Sequence, residues 1–556
     1  MTRSSRQLNG EFSGRTFGAI GLEKEQLKTA IDLVASLGGQ FVHDSKLRWQ
    51  CKYLIVGYWY PIDVNTLQNT TCVTLYWLES IKEKGLLIEP QSNKYYLPPL
   101  PSKELLYPIE GYQEYSPETH IQLPCSSTNT KNNVPRWPYI VGLLSQPIPN
   151  IEALKRTIAR TTQSDKNCQF ENLTEAIKLL PFRSIFFSDI MPFVQQLALQ
   201  LPFLLPSSAP LLRQKPSGYS SVTLSKAQVA SVIFHGFFCT LPARDNNDYP
   251  QVINFDFFLQ GATYAVKTQK LAGFLHYFSR LALDPSVLLT QFISFSRNSM
   301  DLSGIEEPLT TRIDPMSPVE AFTSGTIEED DHALQVDFAN MYAGGGVMRS
   351  GCVQEEIRFI INPECIMSCM LCEVLDHHES FIIHGAEQYC GYRGYDRSFA
   401  INDDFEDSTP FDQQGRRDTV IVGIDAICFY KNYRALPQFS IESILRELGK
   451  AAVGFAPLPN EVQMRPVATG NWGCGVFGGN IELKFILQWL AASLNRRQVH
   501  YFTFGDNRLR EKLIRFVSFV QSSNMAIRDV AITLMNTMNG FNGNSVFDAF
   551  AQASNQ

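Results

Sequence analysis

Glu355 and Glu356 stand side by side, a short spacer after three consecutive glycines, Gly344 to Gly346. Glycines let a backbone approach a ligand without side-chain obstruction, and their N–H groups can cradle a diphosphate. A glycine turn is the commoner use of such a run, and the Lys-Ser/Thr ending of a nucleotide P-loop is absent. Val353, Ile357 and Ile360 recur at helical spacing, so the text after the glycines predicts a helix packed on a core. Both glutamates fall near its start, where a helix end favours anions. Consecutive helix positions diverge by about 100°, so the two carboxylates serve different jobs, one holding a substrate while the other reacts. Their mutual repulsion is expected to raise one pKa, which suits a general acid at neutral pH. The competing explanation is a solvated pair on a helix surface.

Three rival chemistries are weaker. Cys365, Cys369 and Cys372 have the C-x3-C-x2-C spacing of some iron–sulfur enzymes, but they share one helical face with Met and Leu after Pro363 and read as buried thiols. His377-His378 lacks a four-ligand zinc spacing. No Gly-x-Ser-x-Gly elbow of a serine hydrolase is present. No metal and no cofactor are expected.

The elements that position these residues alternate. From about Ser296 onward, strand-like runs at Leu334 to Phe338, Ser380 to Ile383, Val420 to Ile424 and His500 to Phe504 are separated by helical text such as Glu364 to Leu375 and Ile481 to Asn495. That alternation predicts an α/β sheet covered by helices. From Trp137 to about Phe295 the pattern is mostly helical, with helical periods at Phe187 to Leu204 and Leu224 to Phe238 and a Pro/Ser-rich break at Leu205 to Ser221 between them. Pro98 to Arg136 reads as linker. At the N-terminal side, Phe17 to Leu22 is a short apolar stretch. A helix from Lys24 to Leu37 is marked by Leu27, Ile31 and Val34 and ends at Gly38-Gly39. Gln40 to His43 and Tyr53 to Tyr58 read as strands, and a last helix holds Val73, Tyr76, Trp77 and Ile81.

The 556 residues suggest three or four domains at ~150 residues each. Apolar residues make up 44% and charged residues 19%, enough for a sizeable core. No apolar run reaches the ~18 residues of a membrane span, so no membrane association is expected. The opening MTRSSRQLNGEFSGR has no apolar core and does not read as a secretory signal. The 12 scattered cysteines therefore read as reduced thiols, and the glycosylation sequons at Asn69 and Asn172 as coincidence. Net charge is -7, and the first hundred residues hold 11 basic against 9 acidic side chains, so the acidic excess lies beyond them. That balance argues against gripping DNA by phosphate neutralisation.

Gly21-Leu22, Gly38-Gly39, Tyr53 to Val56, and Trp77 followed by the Gly85 turn resemble a BRCT domain. Such domains dock proteins or phosphopeptides. Ile20 stands where a phosphate-binding member has a small hydroxyl residue, and Asp63 to Thr71 has no lysine, so protein docking is the expected role.

The run of three glycines, spacer and Gln354-Glu355-Glu356 resembles the signature of poly(ADP-ribose) glycohydrolases. So do Leu123 to Ser126, Phe237 to Thr240, Gly325 to Glu329, Leu334 to Asn340, Glu387 to Tyr389, Val467 to Gly475 and Tyr501 to Asp506. This resemblance implies an α/β/α macrodomain sandwich with a mainly α-helical accessory domain, preceded by the small N-terminal α/β BRCT-like domain. The expected division is 9–100 BRCT-like, 101–136 linker, 137–295 helical accessory and 296–556 macrodomain-like. It implies Glu356 as acid/base, Glu355 on ribose hydroxyls, and Asp337 at a family active-site position. Asn340 and Gln354 would contact ligand, and Gly345 and Gly346 would face it. Ile327 and Glu328 would recognise adenine and Tyr395 stack on it. The second glycine-rich loop, Asn471, Trp472, Gly473, Cys474, Gly475 and Val476, would surround the diphosphate, with Phe504 near the distal ribose.

The implied activity is exo-acting hydrolysis of ribose–ribose O-glycosidic bonds to release ADP-ribose. The alternatives are a catalytically silent reader of the polymer and a hydrolase of protein-linked ADP-ribose. Expected partners are poly(ADP-ribose), ADP-ribosylated proteins and a protein docked by the BRCT-like domain, without direct DNA binding. Substrate and BRCT-like domain together point to the nucleus, with the cytoplasm as the other reducing compartment, and to the DNA damage response.

Overall fold

The computed structural model describes residues 12–56 apart from 21, 23, 45 and 46, residues 70–84 apart from 74, and residues 116–162 apart from 117. It also describes 170–242, 252–430, 437–538 and 541–554, apart from 216, 262, 302, 460 and 542. Gly21, the Gly85 turn, most of Asp63 to Thr71, the first half of the linker and the sequon at Asn69 lie outside the described residues. The described chain forms two compact units. One takes in residues up to 209 with 225–243 and 254–291, and the other takes in 210–224, 244–253 and 292 onward.

Within the first unit, a four-stranded parallel sheet runs in the order Gln40–Phe41, Thr16–Ile20, Tyr53–Val56, Thr71–Val73. Helices Lys24–Ser36 and Leu75–Lys84 accompany it. Phe12, Phe17, Tyr53 and Trp77 form its aromatic core. Gly38, at φ +81°, ends the first helix in the left-handed conformation that glycine adopts without strain. Val73, read as part of the last helix, instead closes a strand. It pairs with Ile55, and the helix starts two residues later.

The helical part of this unit includes Trp137–Leu144, Ile151–Thr162, Glu171–Lys178, Met191–Leu199, Lys226–Phe237 and the 19-residue Ala265–Leu283. Ser225 caps the Lys226–Phe237 helix and Gln228 reaches back to it, a reciprocal capping box. Aromatic rings pack edge to face through its centre, as in Phe234 on Phe278 at 4.8 Å. Asn172 is fully buried and donates to the carbonyl of Phe258, so its sequon carries no accessible amide in the fold.

The second unit is built on an eight-stranded sheet. Its order is Gly218–Ser225, Phe292–Ser299, Glu379–His384, Val420–Gly423, Leu334–Asp337, Val467–Thr469, Val499–Phe502, Val319–Phe322. The last five strands are mutually parallel, and Glu379–His384 is antiparallel to both of its neighbours. Successive strand residues point to opposite faces. Leu334 and Val336, with Val420 and Val422, face a core shared with the helices Ile441–Gly454 and Ile481–Leu494. Gln335 and Asp337 face the other side, where Arg358 of the helix Gln354–Ile361 donates to Gln335 at 2.6 Å. Helices thus cover both faces of a mixed sheet, as expected.

Two readings change. The Pro/Ser-rich break at Leu205 to Ser221 does more than separate helices, because Gly218–Ser225 forms the first strand of the sheet. The helix read over Glu364 to Leu375 is shorter. A tight turn at Pro363–Met367 leads into Ser368–Leu371, and Cys372 is already extended.

Arg297 ties this edge down. It is almost fully buried, donates to the carbonyls of Leu212, Glu373 and Val374, and pairs with the fully buried Glu379. A buried carboxylate left without its cation is strongly destabilising. Arg297→Met is therefore expected to cost about 3–5 kcal/mol of stability in urea unfolding. A loss under about 1 kcal/mol would show that the pair does not hold the edge.

Candidate active site

The five parallel strands end at one rim. Residues just past their C-terminal ends form a cleft of about 590 Å³, the usual location for ligands on such sheets. Val319–Phe322 leads to Ile327 and Glu328, Leu334–Asp337 to Phe338 and Ala339, and Val420–Gly423 to Ala426. Val467–Thr469 leads to the loop from Asn471 to Phe477, and Val499–Phe502 to Phe504. Val353, Gln354 and Ile357 add the wall from the acidic helix. The second glycine-rich segment therefore lines this cavity, whereas the first reaches it only through the helix that follows.

The glutamate pair opens the Gln354–Ile361 helix as expected, but it is buried. Glu355 accepts N–H bonds from Gly344 at 2.7 Å and Asn340 at 2.9 Å. Glu356 accepts from Gly346 at 2.8 Å and, reaching back over its own helix start, from Val353 at 2.8 Å. Gly345 donates to the carbonyl of Tyr342. The expectation that this glycine run turns its amides toward a diphosphate is therefore corrected. Buried carboxylates need donors, and the loop amides serve the protein's own glutamates. Neither Gly345 nor Gly346 lines the cleft. The glycines are required for closeness: a Cβ at Gly345 would lie 2.5 Å from Glu355 Oε2, and one at Gly351 would lie 2.6 Å from Glu356 Oε1.

Asp337 sits below the pair, fully buried, with neither carboxyl oxygen hydrogen-bonded. Burial pushes its pKa well above the usual carboxylate range. Arg358 opposes that shift and Glu356 adds to it. Glu355 is also raised, by burial first and then by repulsion from Asp337 and Glu356, against the two N–H bonds it accepts. The expected rise in pKa thus falls on Glu355, with burial ahead of mutual repulsion as its cause.

Gln354 is used by the fold as well as by the cleft. Its amide accepts from Phe338 N at 2.7 Å and donates to Val336 O at 3.1 Å, clamping the end of the central strand. Asn340 accepts from Tyr342 N and does not line the cleft.

At the opposite side Ile327 is buried, and the Glu328 carboxylate accepts a 2.5 Å bond from the hydroxyl of Tyr392. Tyr395 is 54% exposed at the mouth, and its hydroxyl accepts from Gln354 N at 3.2 Å. Sequence reasoning singles out Tyr395 and misses Tyr392, three residues earlier in the same aromatic run. Only the fold reveals that Tyr392 meets a carboxylate 64 positions away.

The second loop is pinned from below. Trp472 is fully buried and donates to Ile424 O at 2.9 Å, and Asn471 accepts from the hydroxyl of Tyr501 at 2.9 Å. Burial pushes the Cys474 thiol up to about 12, so it is neutral. Among the described residues, the N–H groups of Gly475 and Val476 have no protein acceptor. Val476 is 70% exposed and Phe504 52%, flanking the mouth. Of the competing cysteines, Cys365, Cys369 and Cys372 are buried free thiols, and Cys369 packs beneath Gly344.

The raised carboxyl of Asp337 has a measurable consequence. Stability from this proton is complete below the ordinary value of 3.8 and is lost as pH rises through the higher folded value. Asp337→Asn mimics the protonated acid and has no proton to lose. Its stability relative to the unmodified chain is expected to be near equal at pH ~4 and higher at pH ~8 in urea unfolding. A variant less stable at the higher pH would contradict a neutral Asp337.

Comparison with known proteins places this architecture. Residues 307–511 match the family model described as poly(ADP-ribose) glycohydrolase, macro domain fold, and residues 182–297 match the helical domain of the same family. The chain is 31% identical over 410 residues to a probable poly(ADP-ribose) glycohydrolase 2 of Arabidopsis thaliana, covering 62% of this chain and 77% of that protein. It is 33% identical over 414 residues to poly(ADP-ribose) glycohydrolase 1 of the same plant, covering 58% and 73%. A solved structure, the C-terminal BRCT domain of human XRCC1, aligns with 16% of this chain and 97% of its own at 20% identity and a TM-score of 0.15. On the matched domains and on these relatives, the chain belongs to the poly(ADP-ribose) glycohydrolase family.

Proposed function

We propose that this chain is a glycosidase that hydrolyses the ribose–ribose O-glycosidic bonds of poly(ADP-ribose) and releases ADP-ribose, with Glu356 as general acid and base. The observation that carries the residue assignment is the convergence of Asp337, Glu355 and Glu356 behind one wall of the cleft. Family membership carries the reaction.

On this reading the work is divided. Glu328, oriented by Tyr392, accepts the adenine amino group, while Tyr395 offers an exposed ring for stacking. The amides of Gly475 and Val476 face the diphosphate, and Phe504 packs against the distal ribose. Glu355 is anchored by Gly344 and Asn340 and orients ribose hydroxyls. Glu356 protonates the leaving oxygen, then takes the proton of an attacking water. The transition state is oxocarbenium-like. Both glutamates open the same helix, unlike the pair of carboxylates flanking the bond in most glycosidases.

In assays with purified poly(ADP-ribose), Glu356→Gln is expected to lower ADP-ribose release by about 10²-fold or more while polymer binding is retained. An unmodified chain that binds polymer and releases nothing would overturn the enzyme reading. A Glu356→Gln chain with full rate would overturn the residue assignment.

For residues 9–100 we infer a protein-docking module of BRCT type, which would place the enzyme at nuclear sites of polymer synthesis in the DNA damage response. Support comes from the parallel sheet, the core around Trp77, and an aliphatic Ile20 where phosphate binding needs a hydroxyl. Deleting residues 1–100 is expected to abolish nuclear protein capture in a pull-down and to leave ADP-ribose release within about twofold, since rigid sites tolerate distant changes. Equal capture by the shortened chain would dispose of the docking role.

A further inference from the structure

Behind the loop that carries Gly475 and Val476 lies a group of buried charges outside the mechanism above. Lys484 is in the first turns of the Ile481–Leu494 helix and is 1% exposed. Its ammonium pairs with Glu447 and lies 3.8 Å from the centre of the Trp472 ring. A Cβ on Gly473 would come within 3.1 Å of Nζ, and one on Gly479 within 3.2 Å of Cε. The loop is therefore folded directly over this cation.

The surrounding charges do not balance. Glu447 also pairs with Arg446 at 2.6 Å, Arg446 with Asp425 at 2.6 Å, and Lys450 with Asp425 at 2.7 Å. Three cations share two carboxylates. Asp376 adds a carboxylate nearby, which accepts from His377 N and, among the described residues, forms no ion pair with the three cations. Glu379, whose carbonyl takes Lys450, is matched by Arg297. His377 accepts from Arg446 Nε through Nδ1. Burial keeps the thiol of Cys474 and the phenol of Tyr501 protonated. An uncompensated buried charge is costly, so the network is incomplete in the unliganded chain. The side of the loop away from Lys484 opens on the cleft, through Gly473, Gly475 and Val476.

We propose that Lys484 is a positioning residue for the substrate diphosphate, holding the Asn471–Val476 loop from behind and offering through it the positive charge that the bound anion completes. This rests on the assignment of that loop to the diphosphate. Burial, reinforced by Arg446, pushes the Lys484 pKa well down, and Lys450 falls to about 8. An anion in front of the loop reverses that pressure, so binding takes up a proton and affinity falls as pH rises through the unliganded value.

The test measures the affinities of the full chain for ADP-ribose and for adenosine, which lacks the diphosphate, by calorimetry in buffers of differing ionisation enthalpy. Lys484→Met and Lys484→Gln, each of which leaves Arg446 and Lys450 on Glu447 and Asp425, are expected to weaken ADP-ribose about tenfold. Adenosine binding should be unchanged in both, and the proton uptake of the unmodified chain should disappear. KM for polymer should rise more than kcat falls. Unchanged ADP-ribose affinity overturns the proposal, and so does an equal loss for adenosine, which marks a general collapse of the cleft. If the unmodified chain binds adenosine but gains nothing from the diphosphate, the loop assignment itself falls.

Discussion

Two carboxylates buried side by side at the start of one helix need donors for four oxygens, and among the described residues no side chain supplies them. The backbone amides of Gly344, Asn340, Gly346 and Val353 do. Much of the local architecture follows from that requirement. The chain must turn tightly enough past the end of the central strand to aim successive amides inward. Its residues must lack Cβ atoms where oxygens press against them. The start of the helix must be anchored, which the Gln354 amide does by bonding to both sides of the strand end. A fixed pair of carboxylates is in turn what a glycosidase needs, since misplaced acids lose most of their effect.

Burial also sorts the acids. The Asp337 carboxyl has no hydrogen-bond partner and burial raises its pKa well above the usual carboxylate range, while Glu356, behind the wall of the cleft, accepts from two amides. Arg358 limits how far the neutral state is favoured, and it is itself held by Gln335 on the same face of the sheet. Three acids within one helical turn and one strand end thus have unlike environments.

The sequence made some of this legible. Short β-branched or aromatic runs located three of the five parallel strands, Leu334–Asp337, Val420–Gly423 and Val499–Phe502, whose two faces are both covered, and helical spacing located the acidic helix. Glu328, Tyr395 and Phe504 were singled out only through resemblance, and the fold brings all three to one rim. Other features leave no local trace. Gly344 to Gly346 announce close backbone approach, but not whether a ligand or a protein carboxylate is approached. Lys484 sits in an ordinary amphipathic text, Ile481-Glu482-Leu483-Lys484, and only the packing of the loop reveals its burial. Gly218–Ser225 is hidden because Ser220, Ser221, Thr223 and Ser225 dilute its apolar residues and continue the Pro/Ser-rich text before it, in a strand at the edge of the sheet.

That strand has a consequence for how such a protein is inherited. The sheet begins with residues 218–225, then leaves the second unit for the helices of the first before resuming at Phe292. No single cut in the gene separates the two units. A segment limited to residues 307–511 would carry the acids and both glycine loops but would omit two strands and the cation that neutralises Glu379. Recombination can add or remove material ahead of the helices, but it cannot exchange the catalytic sheet for another without taking its helical companion along.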